Sequence, residues 1–203
     1  MRMKLIKKVL STLLVALLVT SCGGMTTGVS IGKTEIKSSD IQKSVDEILT
    51  ARKSVDTSQM QLIDGPELLR NQAQFAIIKV VLDKVALDKN LSVTSADVAA
   101  RRADAISRLG GESGLPAALV GANLAASNLD AYLRILIISD RLNSDLVATG
   151  LAEDVAATQV SKLVIDTASK LGVKVNTKYG KWDPTTATIE AADATSGAVT
   201  PAP

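Results

Sequence analysis

The sequence predicts a mainly α-helical domain: a bundle of about five helices with a small β element that joins the N- and C-terminal segments. Apolar residues recur three and four positions apart in five long segments, the spacing of one buried helix face. These segments cover about half of the chain, against roughly one third in an average globular protein. Apolar and polar residues alternate in two short segments, residues 29–36 and 173–176, which predicts a strand near each end of the domain.

The N-terminal segment, residues 1–21, has the features of a secretory signal peptide. Residues 1–8 carry four cations and no acid, and residues 9–19 form an uncharged, largely apolar run. As a helix this run of eleven residues would span roughly 17 Å, which is much less than the ~30 Å hydrocarbon core of a bilayer. The segment therefore indicates export rather than a membrane-spanning helix.

The cleavage region Val19-Thr20-Ser21-Cys22 resembles the bacterial lipoprotein box, an aliphatic residue and two small residues before a cysteine. In that family the cysteine thiol receives a diacylglycerol and the leader is cut just before it. The resemblance implies cleavage between Ser21 and Cys22, acyl chains such as palmitate on Cys22, and a chain held on a lipid bilayer. The expected location is the extracytoplasmic face of the cell membrane, or the outer membrane in a host with two membranes. The alternative is an ordinary signal peptide with an incidental cysteine.

Composition divides the mature chain into three parts. Residues 22–28 are small and polar and are expected to be a lipidated tether. Residues 29–184 contain the helical and strand patterns of the domain. Residues 185–203 are small, polar and poor in bulky side chains, so we expect a disordered tail.

Residues that favour helix starts and ends bound the first two helices. Ser39 with Gln42 resembles a capping box and predicts a first helix that runs to about Ser54. Gly65-Pro66 opens the second helix, which is apolar on a wide face as far as Leu87 and should be largely surrounded by protein.

Similar signals bound the later helices. Thr94 with Asp97 caps a third helix, and Ser127 with Asp130 caps a fourth that ends at Gly150. A fifth helix is expected over residues 153–171. Residues 112–126, between the third and fourth helices, are rich in Gly and Ala and can contain one further short helix over residues 115–120.

Composition also limits the function. Four of the 23 cations lie in the leader, so the mature chain carries 19 cations and 21 acids, a net charge of −2. This balance argues against a nucleic-acid-binding protein. The chain has no histidine and one cysteine, which excludes imidazole-based catalytic triads, Cys/His zinc sites and an intrachain disulfide. We therefore expect no metal, no cofactor and no enzymatic activity, although composition leaves an unrecognised activity such as a Ser–Lys dyad open.

Two local patterns have alternative explanations. Arg101-Arg102 are able to grip an anion, but they equally suit the polar face of the third helix. The Gly-rich stretch over residues 110–114 lacks the spacing of a phosphate-binding loop and is expected to be a plain connection.

Several segments, in order, resemble the SurA-type periplasmic chaperone domain. Residues 28–36 and 39–41 resemble its opening strand and helix start. Residues 85–90 resemble the end of its long apolar helix, and residues 91–98 resemble the "G-I-x-V-T-x-x-D-V" connection that follows. Residues 129–142 resemble a later helix. Residues 176–183 (NTKYGKWD) are similar to a "VNPRYGxWD" ending found in SurA-like lipoproteins, with Thr and Lys in place of the Pro and Arg.

The resemblance implies a domain that holds unfolded or partly folded exported polypeptides. The parvulin prolyl-isomerase module that often accompanies this domain needs about ninety further residues and typically histidines, which this chain lacks. The resemblance therefore implies holding without isomerisation. Tyr179 and Trp182 are candidate exposed anchors for a polypeptide, although packing over the strand pair is the alternative. A different class of function is a structural or assembly lipoprotein with one dedicated envelope partner.

Overall fold

The computed structural model describes residues 26–192, and 65% of these residues are helical, which confirms the mainly α fold. The described part of the chain contains five long helices and one short one. They are α1 (Ser38–Arg52), α2 (Gly65–Asp88), α3 (Ser95–Arg108), the short α4 (Leu115–Gly121), α5 (Leu129–Ala148) and α6 (Glu153–Leu171).

The two ends of the domain meet in an antiparallel sheet, as the alternating segments predict. Its three strands, β1 (Thr27–Ile31), β2 (Thr34–Lys37) and β3 (Val173–Val175), lie in the order β2-β1-β3. Val29 of β1 lies opposite Ile36 and Val175, and this row faces the core. The next row, Ser30 opposite Glu35 and Lys174, faces the other side because strand side chains alternate.

The domain is longer at both ends than the sequence predicted. Thr27 and Gly28, expected in the tether, belong to β1. Residues 185–190 are not disordered: β5 (Thr188–Glu190) pairs with β4 (Lys181–Asp183) in a second antiparallel hairpin. The leader and the last part of the expected tail, residues 193–203, lie outside the described residues.

Long-range contacts that composition cannot reveal hold the second hairpin. Ile189 is 7% exposed, its backbone N–H donates to Gln74 Oε1 (2.9 Å), and Gln74 Nε2 donates to the Ala187 carbonyl (2.8 Å). Gly180 has φ 125°, and a Cβ there would lie 2.0 Å from the Glu190 carbonyl oxygen. Only glycine allows so close an approach of the two strands.

Helix α2 is the centre of the core, as its wide apolar face predicts. Leu68, Ala73, Ile77 and Val81 are fully buried. Towards its C-terminal end, Val85 packs in a second cluster with residues of α5 and α6. At about 25 cal/mol per Å² of apolar surface removed from water, this central helix contributes a large share of the folding free energy.

The sequence signals for helix ends are correct, whereas two of the three predicted capping boxes are wrong. Asn90 adopts φ 54°, and the Leu91 N–H donates to the Ala86 carbonyl (2.8 Å), closing α2. Ser39 lies inside α1, which begins at Ser38 without a side-chain cap, and Gln42 donates to Asp46 instead. Ser127 bonds to another helix and lies in a 3₁₀ turn (Ala126–Asn128) before α5.

The capping box at Thr94 is present and is connected to α5. The Thr94 hydroxyl accepts from the Asp97 N–H (3.2 Å), and the Thr94 N–H donates to the Asp97 carboxylate (2.8 Å). These hydrogen bonds from Thr94, together with the Arg141 guanidinium, lower the pKa of Asp97 to about 2. Arg141 Nη2 lies 2.7 Å from Asp97 Oδ1. Because α3 has no fully buried residue, such polar contacts are a main part of its attachment.

We expect Thr94→Ala to lower the free energy of unfolding by about 1 kcal/mol at neutral pH, the usual effect of losing a cap. The pKa of Asp97 is depressed in the folded chain, so its contribution is present above its ordinary pKa of 3.8 and is lost as the pH falls towards 2. In the variant Asp97 has lost the Thr94 hydroxyl, one of the donors that depress its pKa, while the backbone N–H of residue 94 remains. The difference between the two proteins should therefore shrink as the pH falls, as measured by urea unfolding between pH 7 and pH 2.

The matched control is Ser39→Ala, at the capping position that the structure does not use. Its unfolding free energy should change by less than about 0.5 kcal/mol and without this pH dependence, because surface substitutions away from special contacts have small effects. Equal losses in the two variants would show that the cap at Thr94 is not structural.

Candidate functional site

An apolar cavity between α1 and α4 is the candidate site, and we call it the α1–α4 groove. Its volume is about 720 Å³, within the range of about 300–1,000 Å³ that ligand sites occupy. Eight of its thirteen lining residues are apolar: Ile48, Ala51, Leu115, Pro116, Leu119, Leu124, Ala125 and Ala126. The other five are Lys43, Asp46, Glu47, Thr50 and Glu112.

Helix α1 forms one wall of the groove, because one of its faces packs in the core and the adjacent face borders the groove. Ile41, Val45 and Ile48 point into the core and fix the helix. The adjacent face carries Thr50 and Ala51, whose small side chains leave space beside α4. The wall is therefore rigid, since the burial of its neighbouring face holds it in place.

The opposite wall is α4 and the turn that ends it. Asn123 adopts φ 52°, a left-handed conformation that asparagine tolerates better than most residues. The chain then folds back, and the Leu124 N–H donates to the Leu119 carbonyl (3.0 Å). Leu119 and Leu124, each 9% exposed, thus lie side by side in the wall.

Two buried polar side chains fix this turn against α1 and α2. Arg52, with a side chain 13% exposed, donates from Nη2 to the Ile63 carbonyl and to Asn123 Oδ1, both at 2.7 Å. Gln72, 3% exposed, donates to the Asn123 carbonyl (2.9 Å). Because removing one partner of a buried hydrogen bond costs about 1–3 kcal/mol, the turn has little freedom to move.

The rim of the groove is acidic, and hydrogen bonds hold one of its carboxylates in place. The charged residues that line the groove are one cation, Lys43, and three acids, Asp46, Glu47 and Glu112, which gives a net charge of −2. The Glu47 carboxylate accepts from the Ser127 N–H (2.9 Å) and hydroxyl (2.6 Å), and so fastens the 3₁₀ turn to α1. The site can accept an aliphatic or aromatic group and favours positive charge next to it.

The candidate anchors predicted from the sequence, Tyr179 and Trp182, lie outside the groove, and neither is fully exposed. Tyr179 is 1% exposed, so it is not an exposed anchor, and the alternative, packing over the strands, is correct. Its ring packs in the core cluster of β1, and a Cβ at Gly28 would lie 3.2 Å from its hydroxyl. Trp182 is half-buried against the same cluster. Ser21 and Cys22 lie outside the described residues.

The arginine pair Arg101-Arg102 and the Gly-rich stretch over residues 110–114 have structural roles. Arg101 pairs with Asp140 (2.8 Å) and Arg102 with Asp130 (3.0 Å), so both arginines tie α3 to α5. Gly110 and Gly111 have positive φ values and form the turn after α3.

Sequence reasoning did not identify the groove. Its only local signal was the Gly- and Ala-rich composition of residues 112–126, since small side chains leave space between helices. The walls depend on contacts such as Arg52 to Asn123, which join residues far apart in the chain.

Three carboxyl groups outside the groove have lowered pKa values. Among the described residues, the carboxyl groups with a resolved pKa shift are Asp56, Asp97 and Asp183, all of which lie outside the groove. Hydrogen bonds from Ser58 lower the pKa of Asp56, and those from Thr185 lower that of Asp183.

Within residues 26–192, no group of three or more acidic, histidine or cysteine side chains is arranged to hold a metal ion. None of the helices in that range is both long and apolar enough to cross a bilayer.

No family model, no curated protein and no solved structure matches this chain. The resemblance to the SurA-type domain therefore stays a prediction.

Proposed function

We propose that this protein is a membrane-anchored, extracytoplasmic chaperone-like protein that holds unfolded or partly folded exported polypeptides without catalysis. The α1–α4 groove is the observation that carries the proposal. An apolar concavity with a polar rim offers a binding place for the apolar side chains that an unfolded chain exposes.

The size and lining of the groove suit a broad range of client segments. Its apolar surface comes from leucine, isoleucine, proline and alanine, which make non-directional contacts that depend little on the detailed shape of the bound side chain. A volume of about 720 Å³ accommodates several side chains of one extended or helical segment. The acidic rim should favour segments in which lysine or arginine flanks the apolar residues.

Membrane attachment is the second part of the proposal and rests on the sequence. Acyl chains on Cys22 would hold the domain at the bilayer, since two or more chains anchor a protein stably. The partners are then the lipid bilayer, through Cys22, and exported polypeptides close to the membrane, with no nucleic acid and no metal. The alternative, a lipoprotein that assembles with one dedicated envelope partner, is an outcome of the experiments below.

We expect Ala126→Trp to weaken client binding about tenfold, equivalent to about 1.4 kcal/mol. Ala126 is exposed at the edge of the groove, so an indole ring can fill the cavity without disturbing the core. The measurement is fluorescence anisotropy of labelled, reduced and unfolded α-lactalbumin, titrated with the mature chain from Cys22.

Ala103→Trp is the matched control, because Ala103 is exposed on α3 and does not line the groove. It should bind the client like the wild type. Absence of client binding by the wild type would contradict the chaperone proposal, and equal binding by both variants would place the client outside the groove. Capture of one stoichiometric folded protein from envelope extracts, with no affinity for unfolded chains, would favour the dedicated-partner alternative.

We expect Cys22→Ser to move the protein from the membrane fraction to the soluble extracytoplasmic fraction, since the thiol that carries the acyl chains is removed. Metabolic labelling with an alkyne analogue of palmitate should mark the wild type and not the variant. Ser21→Ala, which keeps a small residue before the cysteine, should behave like the wild type. Labelling of the Cys22→Ser protein would contradict the anchor.

A further inference from the structure

We propose that the end of the domain formed by β1, β2 and β3 docks on anionic lipid headgroups through Lys37, Lys174 and Lys178. The inference rests on the proposed anchor at Cys22, and it concerns how the anchored domain is oriented rather than whether it is attached. Three observations carry it: the place where the chain enters the domain, the length of the tether, and the distribution of charge.

The chain enters the domain in the middle of the three-stranded sheet. The Thr26 carbonyl accepts from the Ser38 N–H (2.8 Å), and β1 begins at the next residue between β2 and β3. The point at which the tether pulls on the domain is therefore fixed by backbone hydrogen bonds.

The tether is too short to let the domain leave the membrane surface. Thr26 is the fourth residue after Cys22, and a chain spans at most about 3.3–3.6 Å per residue. Thr26 therefore lies within about 14 Å of the anchored cysteine, whatever conformation the intervening residues adopt. That limit is comparable to the screening length of about 8–10 Å at physiological salt, so charges beside Thr26 are exposed to the potential of the headgroups.

Three exposed lysines lie on this end of the domain. Lys37 pairs with Thr27 beside the entry point, whereas Lys174 pairs with Ser30, further along β1. Lys178 follows Asn176, whose backbone N–H donates to the Gly28 carbonyl (2.9 Å). Within residues 26–192, none of the three lysines forms a salt bridge.

The charge of the domain is distributed unevenly along the chain. The strand-bearing segments, residues 26–37 and 172–192, carry five lysines and three acids, a net charge of +2. The helical part, residues 38–171, carries 14 cations and 17 acids, a net charge of −3. On the outer row of the sheet, Glu35 is the acidic residue, and it accepts a hydrogen bond from the Thr27 hydroxyl (3.4 Å). An anionic surface would therefore attract the sheet end and repel the helical end.

The test uses the single cysteine and the single tryptophan of the chain. The mature chain is coupled through the Cys22 thiol to a maleimide lipid in vesicles, and Trp182 of β4 reports its distance from dansyl-labelled headgroups by energy transfer. The mature chain from Cys22 contains the whole of residues 26–192, and with them the core that the structure describes. Chemical coupling replaces acylation, and failure of the anchor in cells would not affect this measurement.

We expect energy transfer to be at least about 1.5-fold higher on phosphatidylcholine vesicles containing about 30% phosphatidylglycerol than on pure phosphatidylcholine. The increase should disappear in about 1 M NaCl, where the screening length falls to about 3 Å. The triple variant Lys37→Gln, Lys174→Gln, Lys178→Gln should show no increase on the anionic vesicles.

The matched control replaces three other cations that form no close ion pair among the described residues, Lys53→Gln, Arg70→Gln and Lys89→Gln, all in the helical part. It should retain the increase. Equal transfer from the wild type on neutral and anionic vesicles would overturn the proposal, as would an increase in the sheet variant or its loss in the control. Circular dichroism at 222 nm verifies that both variants keep the helical fold.

Discussion

The candidate site depends on the hydrogen bonds that the Arg52 guanidinium donates. This guanidinium lies largely buried at the end of α1 and donates to the Ile63 carbonyl and to Asn123 Oδ1. A buried cation requires such partners, because burial of an unpaired charge is costly. Its bonds join α1, the connection before α2 and the turn after α4, while Gln72 holds the carbonyl of the same turn from α2. Together with the hydrogen bonds from Ser127 to Glu47, these contacts fix the distance between the two walls of the groove.

The helices and their ends follow from local chemistry and were largely predictable. Asn90 and Gly172 adopt positive φ values, so the residue type itself specifies where α2 and α6 end. The pairing of the two terminal segments followed from their alternating patterns. Capping was less predictable, because a serine hydroxyl has several competing partners. Ser127 bonds to Glu47, eighty residues away, and no sequence pattern indicates that choice.

The site and the end of the domain depend on such distant partners, which is why the sequence did not reveal them. Residues 185–190 have the composition of a disordered tail, yet Gln74 of α2 fixes this segment as a strand through its side-chain amide. Whether Tyr179 is exposed or packs over the strands is likewise decided by distant residues: it is 1% exposed, and the absence of a side chain at Gly28 leaves room for its hydroxyl. In both cases contacts across the chain decide the outcome.

The proposed activity combines one apolar groove with one anchored end. The described chain begins at the sheet, and α1 leads directly from the sheet to the groove, so the entry point and the candidate binding site lie on adjoining elements. The measurement that tests this account most directly is hydrogen–deuterium exchange of the mature chain with and without reduced α-lactalbumin. The account predicts slower exchange in residues 43–51 and 112–126 when the client is bound, and unchanged exchange in α3. Protection confined to other elements, or no protection at a client concentration that saturates binding, would contradict it.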